Sequence, residues 1–226
     1  MTKIKPRIPE GGAIEDSPGI TMEQYSETMN KQLGKEYKRF ADNVIDKVNP
    51  VQNALALEIG PGPGWAGINL LKERNDIKLE GIEASQDMIR VATGNATNEG
   101  LAERVMYKKG VGEAMTDLPD QYYDLVVSRD SMHHWEDPRK VFMEIKRVVK
   151  PEGKIYIHDH RRDLNFFGKL IVTVFSRLIA GKMGKYWRSS IAAAYTKEEV
   201  EKILNEIDCY DWQVNTELMD LIIYKN

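Results

Sequence analysis

A single cysteine, Cys209, stands in this chain of 226 residues. One thiol excludes an internal disulfide framework and any zinc or iron–sulfur site built on paired cysteines. No apolar run approaches the roughly 18–20 residues that a bilayer-crossing helix needs. The opening stretch, MTKIKPRIPEGGAIEDSPG, is polar and Pro/Gly-rich, so no secretory signal is expected there. Positive charge is not in excess either. Lys plus Arg number 32 against 35 Asp plus Glu, a formal net charge of −3, which excludes a protein that coats nucleic acid through its overall field. Internal repeats and low-complexity segments are also missing. What is present, 42% hydrophobic and 30% charged residues, is the composition of a folded globular chain, expected in the cytoplasm. The length corresponds to about 1.5 average domains, which suits one large unit with an appendage.

Residues 1–20 hold Pro6, Pro9 and Pro18 and read as a flexible N-terminal arm, followed by a single unit over 21–226. Within that unit the pattern divides into a cap helix (21–49), a core (50–160), a helical insert (161–195) and a closing helix with strands (196–226). Thr21 can cap the first helix, on which Met29, Leu33, Tyr37, Phe40, Val44 and Ile45 recur at helical spacing until Asn49-Pro50 stops it. From Ala54 the period changes. Short continuous apolar runs at 54–59, 77–82, 105–108, 124–128 and 154–159 read as strands buried on both faces, alternating with helices at 66–73, 86–97 and 139–149. Lys150 to Gly153 reads as a turn, and Thr196 with Glu199 forms a capping box for a helix to about Ile207. The tail reads as two antiparallel strands. Strand–helix alternation implies right-handed crossovers and a doubly wound, mostly parallel α/β sheet of seven strands with helices on both faces. Ligands of such sheets bind beyond the carboxyl ends of the strands.

Between the first strand and its helix lies Glu58-Ile59-Gly60-Pro61-Gly62-Pro63-Gly64. Glycines there allow a ligand to approach the backbone at a helix N-terminus. Gly62, Gly64 and Gly67 also fit G-x-G-x-x-G, the register of an NAD-type oxidoreductase, although that register starts two residues beyond the strand end. Glu58 speaks against it, because a carboxylate at the strand end repels a pyrophosphate and attracts a cationic ligand.

These residues resemble the class I S-adenosylmethionine-dependent methyltransferases, over about residues 50–160, in the form that acts on quinones and sterols. EIGPGPG matches that family's acid followed by G-x-G-x-G, and Glu83 in LEGIEAS matches the acid that binds the ribose hydroxyls. EASQDMIRVA matches D-x-S-x-x-M, placing Ala84 and Met88 by the adenine. YYDLVVSRDSMHHWEDP and FMEIKRVVKPEGKIYI also follow the family pattern, with Asp130 beside the methionine part or the acceptor. One departure stands out. Where the family has Gly-Asp-Ala, this chain has Gly110-Val111-Gly112-Glu113-Ala114, so either Glu113 or Val111 takes the place of the Asp, and Glu113 is the preferred alignment. The resemblance implies methyl transfer to a small molecule with release of S-adenosylhomocysteine. A cofactor-binding scaffold without turnover is the non-enzymatic alternative.

All four histidines, His133, His134, His158 and His160, follow the fourth or fifth strand. Three alternatives stand side by side: packing beside the cofactor, general-base catalysis by His134, His133 or His160, and a metal site on His158 and His160, which share a strand face. The acceptor is expected to be apolar or anionic. The insert 161–188 carries Phe166, Phe167, Leu170, Ile171, Val174, Phe175, Leu178 and Ile179 on one helical stripe, with seven basic residues against Asp163 alone. A lid, a homodimer contact, a helix on an anionic membrane surface and core packing at the sheet edge all fit that pattern. Arg161 and Arg162 stand ready for an acceptor carboxylate or phosphate, and Tyr25, Met29 and Tyr37 of the first helix for the acceptor wall.

Overall fold

The computed structural model describes residues 6–9, 20–178 and 183–226. Most of the expected arm, and Ile179 and Lys182 of the insert, lie outside these residues. Seven strands form one sheet in the order β3-β2-β1-β4-β5-β7-β6, in which β1 is Leu55–Ile59, β2 Lys78–Glu83, β3 Val105–Lys109, β4 Tyr123–Arg129, β5 Val149–His160, β6 Gln213–Thr216 and β7 Asp220–Lys225. The first five run parallel, and β7 is antiparallel to both β5 and β6. This is the expected fold class. The strand order reverses between β1 and β4, so the carboxyl ends of these two strands flank the crevice where such sheets take ligands.

Two apolar layers cover the sheet. On one face, α1 (Met22–Val48) and α2 (Trp65–Glu73) bring Phe40, Ala41, Val44, Ile68 and Leu71 onto Ala56, Leu79, Leu125 and Tyr156. The α3 helix (Gln86–Asn98) adds Ala96 to this layer. On the other face, α4 (Pro138–Val148) and α7 (Lys197–Glu206) bury Val141, Phe142, Ile145, Val200 and Leu204 against Leu57, Val126, Ile155 and Ile157. Alternate residues of one strand therefore serve opposite layers, as the pleat dictates. Helix α1 starts at the Thr21 cap, whose side chain and that of Gln24 close a capping box. It ends at Asn49, whose backbone is left-handed at φ 45°. The Thr196–Glu199 box starts α7 as expected.

Three expectations need correction. Lys150 to Gly153 is not a turn separate from the strand. The chain passes from α4 straight into β5 at Val149, which pairs with Tyr123, and the ladder then skips to Leu125 opposite Lys154. Pro151, which has no N–H to donate, sits in that irregularity, where a ladder bond is not required. The insert is two helices, α5 (Phe166–Leu178) and α6 (Met183–Ala193), instead of one continuous stripe. Within the expected arm, residues 6–9 are docked. The Ile8 N–H donates to Ala192 O, while the Arg7 guanidinium donates to the carbonyls of Ala193 (2.6 Å) and His133 (2.7 Å) and lies 4.5 Å above the Tyr195 ring.

Candidate active site

The glycine turn leaves β1 with backbone that only glycine adopts without cost. Gly60 has φ 65° and donates its N–H to Ile82 O, and a Cβ there would stand 2.0 Å from Ser131 Oγ. Gly64, at φ 83°, is the N-cap of α2, with Tyr107 Oη where a Cβ would go. Between them the Gly62 N–H donates to Glu83 Oε2 at 2.9 Å, and the other Glu83 oxygen accepts from Ser85 N–H at 3.0 Å. The acid closing β2 is thereby held across the mouth of the turn that leaves β1. Ser85 caps α3 through the Met88 N–H. Met88 itself is buried against Met22 and Val91, and Ala84 is exposed. On the far side of the crevice, buried Gly112 lies against Ile59 and Val141 with no room for a larger residue unless they shift. Glu113 accepts the Glu136 N–H at 3.0 Å and so ties the loop after β3 to the loop after β4.

Glu58 is more deeply placed than its position at the end of a strand suggests. It is 1% exposed; Oε1 accepts the Gly67 N–H, one of the free donors in the first turn of α2, at 3.1 Å, and Oε2 has no partner. Burial pushes its carboxyl up to about 8; the Gly67 bond opposes this and the charge of Glu83 adds to it. Tyr107 Oη, also buried, likewise lacks a partner. Gly67, the third glycine of the alternative dinucleotide register, is inside α2, where a Cβ would meet Glu58 Oε2 at 2.3 Å.

The raised Glu58 carboxyl has a signed consequence. Between its ordinary value of 4.5 and about 8, the unfolded chain holds a charged carboxylate while the folded chain keeps it protonated, so stability falls as pH rises across that window. Glu58→Gln carries no such titration. The thermal midpoint of the variant is expected to gain on the parent from pH 5 to pH 8, at up to about 1.4 kcal/mol per pH unit, and to level off above. Differential scanning fluorimetry across that range checks it, and a constant gap contradicts it.

The histidines occupy two connected networks at the ends of β4 and β5. In the first, Asp159 is fully buried; its Oδ1 lies 2.7 Å from His133 Nδ1, and its oxygens also accept the N–H groups of His133 (2.8 Å) and His160 (2.6 Å). Burial would raise the Asp159 carboxyl, but the charge and hydrogen bond of His133 outweigh it and hold the group low. The His133 ring packs on exposed His134 at 4.1 Å between centroids and on His160 at 6.1 Å. In the second network, on the opposite strand face, His158 stands between Asp130 (3.8 Å) and Asp220 (3.6 Å), and His160 Nδ1 lies 3.7 Å from Asp220. Burial pulls His158 down, yet the two carboxylates lift it to about 9. Asp130, left-handed at φ 51°, is held well below the usual range: burial opposes this, and Arg129, His158 and His160 prevail. Arg129 donates to Asp130 Oδ2 and lies 4.8 Å above the Tyr37 ring, so α1 covers this network.

His133, His134 and His160 are therefore brought together. His158 is turned to carboxylates that favour its protonated form, and among the described residues no three His, Cys, Asp or Glu side chains are arranged to hold a metal ion. Arg161 and Arg162 are engaged with Asp163 and Glu199. Cys209 is buried near the C-terminus, with its thiol pushed up by burial to about 11. Three groups escaped the reading of the sequence: Asp220, Arg129 and Arg7. Asp220 had a signal, since an antiparallel last strand must begin where β5 ends. Arg7 had none.

A reversal between β1 and β4, acids at the ends of β1 and β2, and a glycine turn between them are the features expected from the resemblance to class I methyltransferases. Residues 57–157 match the methyltransferase domain family. A solved structure from Methanococcus maripaludis, assigned as an S-adenosyl-L-methionine-dependent methyltransferase, superposes with a TM-score of 0.74 at 25% identity, covering 95% of this chain and 97% of that one. YdaC, an uncharacterised methyltransferase of Bacillus subtilis, is 35% identical over 113 residues, half of this chain and 60% of YdaC. The demethylmenaquinone methyltransferase of Bacteroides fragilis is 25% identical over 191 residues, 81% of this chain and 76% of that enzyme. This chain spans 40% of a further B. subtilis relative, YcgJ. Over residues 57–157 the chain is similar to the methyltransferase domain family, and its fold is that of the S-adenosyl-L-methionine-dependent methyltransferase structure from M. maripaludis.

Proposed function

We propose that the chain transfers a methyl group from S-adenosylmethionine to a small-molecule acceptor and releases S-adenosylhomocysteine. The observation that carries this is the Glu83 carboxylate held on the Gly62 N–H, across the glycine turn and at the reversal of strand order. When bound, the cofactor supplies a methyl group on a positively charged sulfur. The residues fit such a group. Gly60, Gly62 and Gly64 carry no Cβ to hold a ligand off their backbone, Glu83 offers acceptors to a ribose diol, and buried Glu58 keeps one oxygen unpartnered beneath the turn. Ala84, Met88, Gly112 and Glu113 are assigned to the adenine and Asp130 to the methionine part. With one Glu113 oxygen on the Glu136 N–H, its carboxylate serves the adenine amino group through the remaining lone pairs.

His134, His133 and His160 are the groups assigned to take the acceptor's proton. Asp159 on His133 Nδ1 fixes that ring's orientation and makes Nε2 its basic nitrogen. Methyl transfer depends first on in-line positioning, so the wall formed by Tyr25, Met29, Tyr37 and the α5–α6 insert matters as much as any base. An apolar acceptor suits that wall, and one relative is named for demethylmenaquinone. No helix among the described residues is long and apolar enough to cross a membrane, and the cytoplasm is the compartment assigned.

Calorimetry with S-adenosylmethionine, S-adenosylhomocysteine and NAD, followed by detection of S-adenosylhomocysteine release over an acceptor panel, tests the proposal. Micromolar binding of the first two with turnover of an acceptor is expected. Binding of NAD alone overturns the cofactor, and cofactor binding with no turnover across the panel favours a scaffold.

A further inference from the structure

Helix α5 has its polarity reversed. Phe166, Phe167, Leu170, Ile171 and Val174 fall within an arc about 140° wide, and all five are exposed, from 38% for Ile171 to 75% for Phe166. The opposite arc, Gly168, Val172 and Ser176, is the buried one, with Val172 packed on Leu164, Ile191, Trp187 and Met219. A helix this apolar is normally interred on every side, and a contiguous exposed patch marks a surface that meets something. Core packing, one of the readings the sequence left open, is thus excluded for this face.

The charge around the patch says what it meets. From Leu164 to Lys197 the sequence has no Asp or Glu and six Lys or Arg. Lys169, Lys185 and Arg188 are exposed, while Asp163 just upstream is committed to Arg161. A second copy of this chain is a poor occupant, because a two-fold contact through α5 sets this run against itself with no acid to neutralise it. A negatively charged partner with an apolar layer beneath its charge satisfies both features at once.

We propose that α5 docks this chain onto an anionic lipid bilayer, with the five apolar side chains entering the acyl boundary and the lysines and arginines at the headgroups. The docked helix borders the candidate active site: α5 begins just past His160, and Trp187 of α6, 6.4 Å from the His160 ring, lies between the two. Docking here sets the mouth of the site against the membrane, where an apolar acceptor dissolves. The docking itself does not rest on the proposed methyl transfer and is read without cofactor or acceptor.

Flotation of the full chain with vesicles of phosphatidylcholine alone and of phosphatidylcholine with 30% phosphatidylglycerol, in low and high salt, is the test. Binding to the anionic vesicles at least about tenfold above neutral ones, weakened by salt, is expected. Phe166→Ser/Leu170→Ser/Val174→Ser should abolish it and Lys169→Glu should weaken it. Circular dichroism and the thermal midpoint should stay unchanged, since the replaced groups face outward. No binding at low salt overturns the proposal, as does equal binding to neutral vesicles. So does a stable dimer by light scattering that the triple variant dissociates, which would assign the face to a second copy.

Discussion

Glu83→Ala is expected to weaken S-adenosylmethionine and S-adenosylhomocysteine binding by roughly a hundredfold or more, the loss of two hydrogen bonds to a charged acceptor at about 1.5–3 kcal/mol each. The geometry explains why one side chain carries so much. Its two oxygens already accept the N–H groups of Gly62 and Ser85, which fixes the carboxylate at the edge of the turn and leaves its remaining lone pairs for a diol. Preorganisation of this kind removes the ordering cost that a free glutamate would incur on binding. Glu83→Gln keeps one acceptor oxygen and must offer an N–H on the other side, so it should fall between alanine and the parent. Because Glu83 is only half-buried and both backbone donors lie near the surface, the thermal midpoint should move by no more than a few degrees. Calorimetry of the three proteins decides the matter. Equal affinities would mean that the ribose does not meet Glu83, and the assignment of the glycine turn would fall with it.

The juxtaposition of the glycine turn with the acids assigned to the cofactor was legible in the sequence because it is local. The strand ending in Glu58, the glycines at 60, 62 and 64, and the strand ending in Glu83 are contiguous signals of a kind that a parallel sheet permits in few arrangements. Periodicity reported the elements well for the same reason: β1 and β4 are central, buried on both faces, and written as continuous apolar runs. Three things were hidden. The depth of Glu58 depends on α2 packing over it at Gly67, which no spacing rule reports. The charge of His158 depends on Asp220, over sixty residues away, reaching it through the antiparallel pairing of β5 and β7. The outward face of α5 was invisible because an apolar helical stripe looks the same whether it points at a core or away from one.

Asp159→Ala is expected to cost about 3–5 kcal/mol of stability, because each buried donor left without an acceptor costs about 1–3 kcal/mol. For a chain of this size that is a fall in thermal midpoint on the order of ten degrees. Asp159 is fully buried and serves three donors, the His133 ring and the N–H groups of His133 and His160, so alanine strands all three away from water. The sign with pH follows from its lowered carboxyl. A group held below its unfolded value contributes stability above that value and loses it as pH falls through the folded one, so the gap between parent and variant should be full at pH 6 and close as pH drops below about 4. Asp159→Asn separates structure from chemistry. It keeps an acceptor for a backbone N–H but turns an amide donor or a neutral oxygen toward His133 Nδ1, removing the charge that makes the ring basic. If His133 takes the acceptor's proton, the asparagine variant should lose kcat well beyond its loss of stability when assayed far below its midpoint, with KM for S-adenosylmethionine unchanged, and its rate should recover as pH rises and the acceptor ionises unaided. A midpoint that falls while kcat and its pH profile stay put would make Asp159 a clamp on the loop after β4 and leave the proton to His134 or His160.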